Sequence, residues 1–146
     1  MAKQVVPFKL VDINTEQFAT FEENFDPASS QLSIDFGVDF KLDRDQNLLG
    51  VFTRYDFSQE EKILVMECAC SFHFSAEYWS SRIEGKTISF SPTVLTHLLV
   101  LSVGTARGII HAKKPKKFQH LLLPTMNVSK ILVDDLVFSL EVEEEE

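Results

Sequence analysis

The stretch SPTVLTHLLVLSVGTARGIIHA, residues Ser91 to Ala112, is the part of the sequence that decides the fold. Ser91 is a candidate N-cap, and Pro92 supplies a preset φ at the first helical position, where its missing N–H is harmless. The pattern therefore predicts a long helix that begins here. Apolar residues recur at three- and four-residue steps and also occupy much of the opposite side, so the helix must be covered over most of its surface.

Two glycines, Gly104 and Gly108, lie one turn apart in this helix, and each costs about 1 kcal/mol relative to Ala. With Ser102 and Ala106 they form a small strip that another backbone can approach closely. Two interpretations stay open, because the helix either packs on the domain's own sheet or contacts a helix of a second subunit. For the second interpretation we predict an oligomer interface at Leu98, Leu101, Gly104 and Gly108.

Polar residues interrupt the apolar run of the helix. His97, Arg107 and His111 divide it into pieces shorter than the roughly 20 residues that cross a bilayer. We therefore predict no direct membrane insertion. The N-terminal residues lack the long apolar region of a secretory signal, so the expected location is cytoplasmic.

Length and composition limit the possibilities further. The 146 residues are enough for one domain with a single sizeable core, which we place at residues 1–142, followed by an acidic tail at 143–146. A net charge of −8 argues against nucleic acid as a partner, since phosphate binding needs a basic surface. The 45% hydrophobic content, with 13 Phe, excludes wholesale disorder and suits a protein that displays apolar surface.

Alternating residues predict four antiparallel strands before the helix. The clearest runs from Leu32 to Leu42, where every second residue is apolar, and residues 48–57 and 63–75 read as the next two strands, joined by short polar turns. Residues 5–13 are predicted to form the first strand, and residues 14–30 are either an irregular extension or an edge strand. The predicted fold class is α+β: a four-stranded antiparallel sheet covered on one face by the long helix and a short C-terminal element.

Two further segments leave alternatives open. Residues 76–90 contain Tyr78, Trp79, Ile83 and Phe90, which either cap the core or contribute to an apolar binding surface. Near the C-terminus, Asn127 is a candidate cap for a short helix over residues 128–132, whereas Leu136, Phe138, Leu140 and Val142 alternate like a strand. The sequence does not decide between helix and strand at this end.

The inventory of catalytic and metal-binding residues is poor. We find no nucleophile elbow, P-loop, zinc-protease motif or glycine-rich dinucleotide turn, and the four histidines have no common focus. Cys68 and Cys70 lie two positions apart on one face of a strand, as buried structural thiols do. We therefore predict no enzyme, no catalytic residues, no metal and no cofactor.

The order of these features resembles the SecB-like family of bacterial export chaperones. LVMECACSFHF, residues 64–74, resembles the family's final strand, and the long helix resembles its first helix. LLLPTMN, residues 121–127, resembles the short apolar segment ahead of the family's second helix. The resemblance covers roughly residues 8–132.

The resemblance implies an ATP-independent holdase, assembled as a dimer of dimers, which binds unfolded or precursor polypeptides in apolar grooves. The expected client-binding residues are Phe74, Tyr78, Trp79, Ile83 and Phe90. In the family the outer acidic face of the sheet meets the motor SecA, and by position Glu22, Val65 and Glu67 match that patch. SecB-like proteins also serve antitoxins, so SecA and an antitoxin both stay open as partners.

Two other classes of function also remain. One is an interaction protein that uses the same fold to hold a single folded partner. The other is a small-molecule-binding or enzymatic α+β domain, with a pocket near Trp79.

Overall fold

The structure, a computed structural model, describes residues 7–140. Four long strands come first along the chain, and the helices and shorter strands follow them. In sequence order they are β1 (Phe8–Thr20), β2 (Ser33–Asp43), β3 (Leu48–Ser58), β4 (Lys62–Phe74), α1 (Ala76–Ser81), β5 (Ile83–Glu84), β6 (Thr87–Phe90), α2 (Pro92–Lys113) and β7 (Leu136–Ser139). Short 3-10 turns lie at Glu22–Asn24, Lys116–Phe118 and Val128–Lys130.

The first four strands form one antiparallel sheet in the order β1-β4-β3-β2. Alternation places one side chain of every pair toward α2, and the core-facing residues of β3 and β4 are fully buried. The predicted α+β fold, with a four-stranded antiparallel sheet and one long helix, is confirmed. Strands 2 to 4 lie within one residue of their predicted bounds.

Strand β1 is longer than the sequence suggested. It runs to Thr20 in register with β4, so much of the segment read as irregular or edge strand is regular strand. Register shifts at Val11 and Glu16 mark two bulges, each of which adds a residue opposite β4. These extra residues break the simple alternation on which the prediction rested. Residues 1–6, which include the predicted start of the strand, lie outside the described range.

Helix α2 begins where the sequence predicted. The Ser91 side chain accepts a hydrogen bond from the backbone N–H of Val94 at 3.4 Å, and Pro92 occupies the first turn. One face packs on the sheet through a set of fully or nearly fully buried residues, namely Leu95, Leu98, Leu99, Ser102, Val103, Ala106 and Ile110.

By length and composition alone α2 is also able to cross a membrane, with a mean hydropathy of 1.5 over its most apolar window. The polar interruptions therefore do not lower its hydropathy as far as predicted. Core helices of the same composition pass this test, and 39% of that window is buried inside the protein. The packing of α2 on its own sheet is the fact that positions the surfaces described below.

The segment between β4 and α2 folds into a short helix and a hairpin. Ser75 caps α1 by accepting a hydrogen bond from the N–H of Tyr78 at 3.2 Å. Strands β5 and β6 then form a tight hairpin whose turn contains Gly85 at φ 60°, in the left-handed region that glycine tolerates. The hairpin carries Ile88 and Phe90 into the core.

The C-terminal segment returns along α2 from its end to its beginning. The Lys114 ammonium, at the end of α2, bonds the carbonyl of Leu121, and Arg107, one to two turns earlier, bonds that of Leu123. Farther on, residues 131–136 line a groove with Leu95, in the first turn of α2. Strand β7 finally pairs with β6 in a second, three-stranded sheet.

The alternatives at the C-terminus are now decided in favour of a strand. A single 3-10 turn replaces the helix considered for residues 128–132, and the Asn127 side chain accepts from the Ser129 hydroxyl at 2.7 Å and forms no cap. The second long helix implied by the resemblance is likewise absent from the described residues 114–140. Val133 and Val137, which follow the 3-10 turn, are β-branched, which favours extended backbone. Val142 and the acidic tail lie outside the described residues.

Candidate functional site

The aromatic residues predicted to bind clients form a cluster at the N-terminal end of α2. Phe74 lies at the centre, with its ring centroid 5.4 Å from that of Tyr78, 5.9 Å from that of Trp79 and 5.3 Å from that of Phe90. Phe74 and Phe90 are fully buried and Trp79 is 5% exposed. Of the five predicted residues, only the half-buried Tyr78 and the exposed Ile83 keep accessible surface. The other three therefore belong to the core and offer no surface to a client.

The pocket expected near Trp79 is also not formed by Trp79. An open depression of about 300 Å³ lies beside Tyr78, lined by Pro7, Ser75, Glu77 and Ser81. Burial raises the pKa of the Tyr78 hydroxyl above its ordinary value. The depression offers one carboxylate and several hydroxyls, spread over a wide opening.

The three residues matched to a motor-binding patch lie on two elements of the fold. Glu22 is exposed in the turn that follows β1, while Val65 and Glu67 lie on the outer face of β4. Val65 is 3% exposed, so its side chain is not available to a partner in this structure. Glu67 forms an ion pair with Arg54, and Arg54 also meets Asp56 at 3.2 Å. These two carboxylates raise the pKa of the Arg54 guanidinium and leave the outer face with its own cation neutralised.

The outer face of the sheet also holds a pocket of about 330 Å³. Its floor includes Phe52, over which the Lys41 ammonium lies at 4.5 Å from the ring centroid. Glu16, Asp39, Arg54 and Glu67 complete a rim of mixed charge. On this outer face Arg54 is therefore paired with Asp56 and Glu67.

An apolar surface extends over the exposed side of α2 and the adjacent edge of the sheet. Phe8 of β1 contacts the ring of His97 at 5.1 Å, and the Lys113 ammonium lies 6.0 Å from the ring centroid of Phe18, so α2 runs beside β1 between these contacts. Exposed apolar residues and glycines lie along this stretch. We call them the β1–α2 face: Leu10, Ile13, Val100, Leu101, Gly104 and Gly108.

The predicted oligomer residues fall on two sides of α2. Leu101 is 40% exposed, and a Cβ built on Gly104 or Gly108 would meet no atom within 4 Å. These three lie on the β1–α2 face. Leu98 is three positions before Leu101, so its side chain points about 60° away around the helix. It is fully buried against the sheet. Its predicted place in a subunit interface is therefore corrected to a place in the domain core.

A second apolar surface lies at the other margin of the sheet. A groove of about 230 Å³ is formed by Phe40 of β2, Leu95 of α2 and the C-terminal segment. We call it the β2 groove, and its lining consists of Phe40, Leu95, Ile131, Leu132, Val133, Asp134, Asp135 and Leu136. Val133 is 69% exposed and Ile131 38% exposed, so two of its apolar walls face solvent.

Cationic side chains of α2 hold residues 119–124, which precede the residues that line the β2 groove. The Arg107 guanidinium donates to the carbonyl oxygens of Leu123 and Pro124, both at 3.0 Å, and the Lys114 ammonium donates to those of Gln119 and Leu121 at 3.0 and 2.9 Å. Leu121 and Leu123 are buried below these bonds. The segment is thus fixed to α2 although it has little regular structure.

Two titratable groups of the core, Cys68 and Cys70, contact each other. Cys68 and Cys70 are buried free thiols, as the alternation predicted. A hydrogen bond between the two thiols, together with burial, raises the pKa of Cys68. Within residues 7–140, no group of three or more His, Cys, Asp or Glu side chains is placed to hold a metal ion.

Sequence reasoning missed the β2 groove and the cationic bonds behind it. Arg107 was treated only as an interruption of an apolar helix, although a cation inside such a helix signals a buried partner. The Asp134-Asp135 pair, which separates the apolar residues 131–133 from β7, is the other feature of the sequence that could have indicated the groove.

Comparison with known proteins identifies a solved structure of similar fold. No family model and no curated protein matches the sequence. Among solved structures, a SecB-like chaperone from Mycobacterium tuberculosis, in complex with a ChAD peptide from the HigA1 antitoxin, is similar with a TM-score of 0.50 at 11% identity. The similarity covers 83% of this chain and 91% of that chain. The chain described here therefore has a SecB-like fold.

Proposed function

We propose that this protein is an ATP-independent holdase chaperone that binds unfolded or pre-export polypeptides. The observation that carries the proposal is the β2 groove, an apolar groove open to solvent and walled by an extended segment. Apolar grooves of this kind bind polypeptides without any catalytic residues. The SecB-like fold, shared with a chaperone solved with a peptide, supports the same function.

The proposal includes a form and a place for the protein. The chain is a single domain over residues 1–142 with an acidic tail, it acts in the cytoplasm without inserting into a membrane, and it assembles through the β1–α2 face as a dimer of dimers. The exposed Glu22 and the half-buried Glu67 are the accessible members of the candidate contact with SecA.

The test of the holdase is aggregation of a chemically unfolded protein, followed by light scattering after dilution into buffer without nucleotide. The expected result is suppression at a near-stoichiometric ratio. Val133→Asp should weaken suppression, because it places a charge in the β2 groove. Leu122→Asp is the matched control, since Leu122 is 57% exposed on the same segment but does not line the groove. Unimpeded aggregation at a several-fold molar excess of the wild type would reject the proposal.

A second candidate is a chaperone dedicated to one partner such as an antitoxin. The structural neighbour favours it, because that chaperone was solved with an antitoxin peptide. Affinity capture from the native host separates the candidates: a general holdase retains many unfolded proteins, whereas a dedicated chaperone retains one partner in a fixed ratio.

A further inference from the structure

The two edges of the main sheet differ in regularity. On one side, β1 is interrupted by bulges at Val11 and Glu16, which disturb the outward row of backbone groups. On the other side, β2 pairs with β3 through 11 consecutive residues without a bulge, and no other strand of the described chain pairs with it. A regular edge of this length is a template for another extended chain.

The inner side chains of β2 are incompletely covered. Phe36, Val38 and Phe40 pack against the core but remain half-buried, whereas Val51 and Tyr55 on the neighbouring strand are fully buried. Phe40 also forms part of the β2 groove. Apolar side chains of an added strand would therefore find contacts on this face and would be continuous with the groove.

The outer side chains of β2 are acidic. Asp35, Asp39 and Asp43 alternate along the strand, and the one cation between them, Lys41, lies over the ring of Phe52 on the next strand. The backbone N–H of Phe40 donates to the Asp39 carboxylate at 2.9 Å, so this amide points away from β3 and toward the open edge. A carboxylate thus takes the place that a carbonyl oxygen of an added strand would occupy.

Building on the proposed function, we propose that a bound polypeptide adds to β2 as a fifth strand of the main sheet. Its apolar residues lie beside Phe36, Val38 and Phe40, and the residues between them are Lys or Arg, which face Asp35 and Asp39. Strand addition derives affinity from main-chain hydrogen bonds and selectivity from alternate side chains. The occupant is an extended polypeptide with alternating apolar and basic residues.

Because residues of a strand alternate in direction, the amide of Val38 points outward like that of Phe40. Val38→Pro therefore removes a donor from the open edge, where Pro is tolerated, and leaves the bonds to β3 in place. Val38→Ala is the matched control, since it shortens the side chain but keeps the donor. The probe is a short synthetic peptide in which Lys alternates with Val or Phe. We expect Val38→Pro to weaken its binding about tenfold or more and Val38→Ala to weaken it less. Equal affinities for the two variants would overturn the proposal.

A second measurement needs no variant of the protein. The same peptide, N-methylated at the amides of alternate residues, keeps its side chains but loses one row of donors. Strand addition predicts that one methylation frame abolishes binding and that the unmodified peptide slows amide exchange at Phe36, Val38 and Phe40. Unchanged binding in both frames would overturn the proposal.

Charge variants of β2 test which peptide binds there, and the same protein samples test the holdase function. Asp35→Asn with Asp39→Asn should weaken binding of the Lys peptide, whereas Glu60→Gln with Glu61→Gln, in the turn outside the strand, should not. A lower solution mass of Val38→Pro would show that a second copy covers β2, and would overturn the proposal. If the wild type suppresses aggregation but both backbone tests are negative, strand addition fails and the holdase function stands.

Discussion

At the scale of single residues, Arg107 connects two parts of the fold. Its guanidinium, half-buried on α2, donates to two successive carbonyl groups of the C-terminal segment. Hydrogen bonds from a charged donor contribute more than neutral ones, about 1.5–3 kcal/mol each before competing costs. Arg107 therefore fixes Leu123 and Pro124 of the C-terminal segment to α2.

We expect Arg107→Met to lower the free energy of unfolding by about 1–3 kcal/mol, because it keeps the aliphatic stem but leaves two carbonyl groups without their donor. Amide exchange should also accelerate over residues 121–130. Urea denaturation and exchange mass spectrometry measure the two effects. Lys116→Ala removes an exposed cation close to the end of α2 and should change neither quantity. Equal stability of the two variants would show that the carbonyl bonds of Arg107 contribute nothing.

The aromatic cluster allows a direct comparison of a core residue with a surface residue. Phe90 is fully buried, so Phe90→Ala should cost about 3–5 kcal/mol through lost burial and the cavity that remains. Ile83, on the neighbouring strand of the same hairpin, is 38% exposed, and Ile83→Ala should cost well under half as much. Thermal unfolding compares the variants. A small loss for Phe90→Ala would mean that the cluster is looser than its ring contacts indicate.

At the scale of elements, alternation and helix caps explain why much of the fold was readable from the sequence. Leu32 to Leu42 alternates strictly because β2 has one face on the core and one in water. Ser91 and Pro92 mark the start of α2 by local chemistry. Neither signal depends on distant contacts, so both survive without knowledge of the fold.

The elements that were missed depend on tertiary contacts. The bulges of β1 shift the alternation, and only pairing with β4 keeps the strand regular. The C-terminal segment is fixed by contacts with Arg107, Lys114 and β6. The sequence of the segment itself gives no sign of these contacts. The sequence left Trp79 and Phe90 open between core and binding surface, and the resemblance assigned both, with Phe74, to client binding, because composition cannot tell a buried aromatic residue from a displayed one.

The exposed side of α2 carries the element-scale prediction. A Cβ fits at Gly104 without contact, so in an isolated subunit Gly104→Ala should raise the stability by about 0.5–1 kcal/mol. Gly104→Leu should leave the subunit folded but block close approach of a partner helix. Analytical ultracentrifugation should then show a smaller species than the wild type, while circular dichroism stays unchanged. Thr93→Leu, at the exposed start of the same helix, is the matched control. An unchanged mass for Gly104→Leu would remove the glycines from the interface.

At the scale of the whole molecule, the described surface displays apolar residues in two separate regions. One is the β1–α2 face and the other is the β2 groove, where Val133 is 69% exposed. Subunit assembly and client binding need not compete if each uses its own region. A net charge of −8 keeps such a surface soluble and favours basic partners.

The separation of the β1–α2 face from the β2 groove predicts an oligomer that still binds peptide. A subunit of 16.7 kDa that exposes the β1–α2 face should not remain a monomer, because contiguous apolar patches are rare on monomeric proteins. We expect a solution mass of four times that value at micromolar concentration, with dissociation to dimers on dilution, measured by light scattering and sedimentation. Leu10→Asp combined with Leu101→Asp should reduce the mass but leave binding of a peptide to the β2 groove intact. A stable wild-type monomer would contradict the assembly, and loss of peptide binding in the double variant would show that the two regions act as one site.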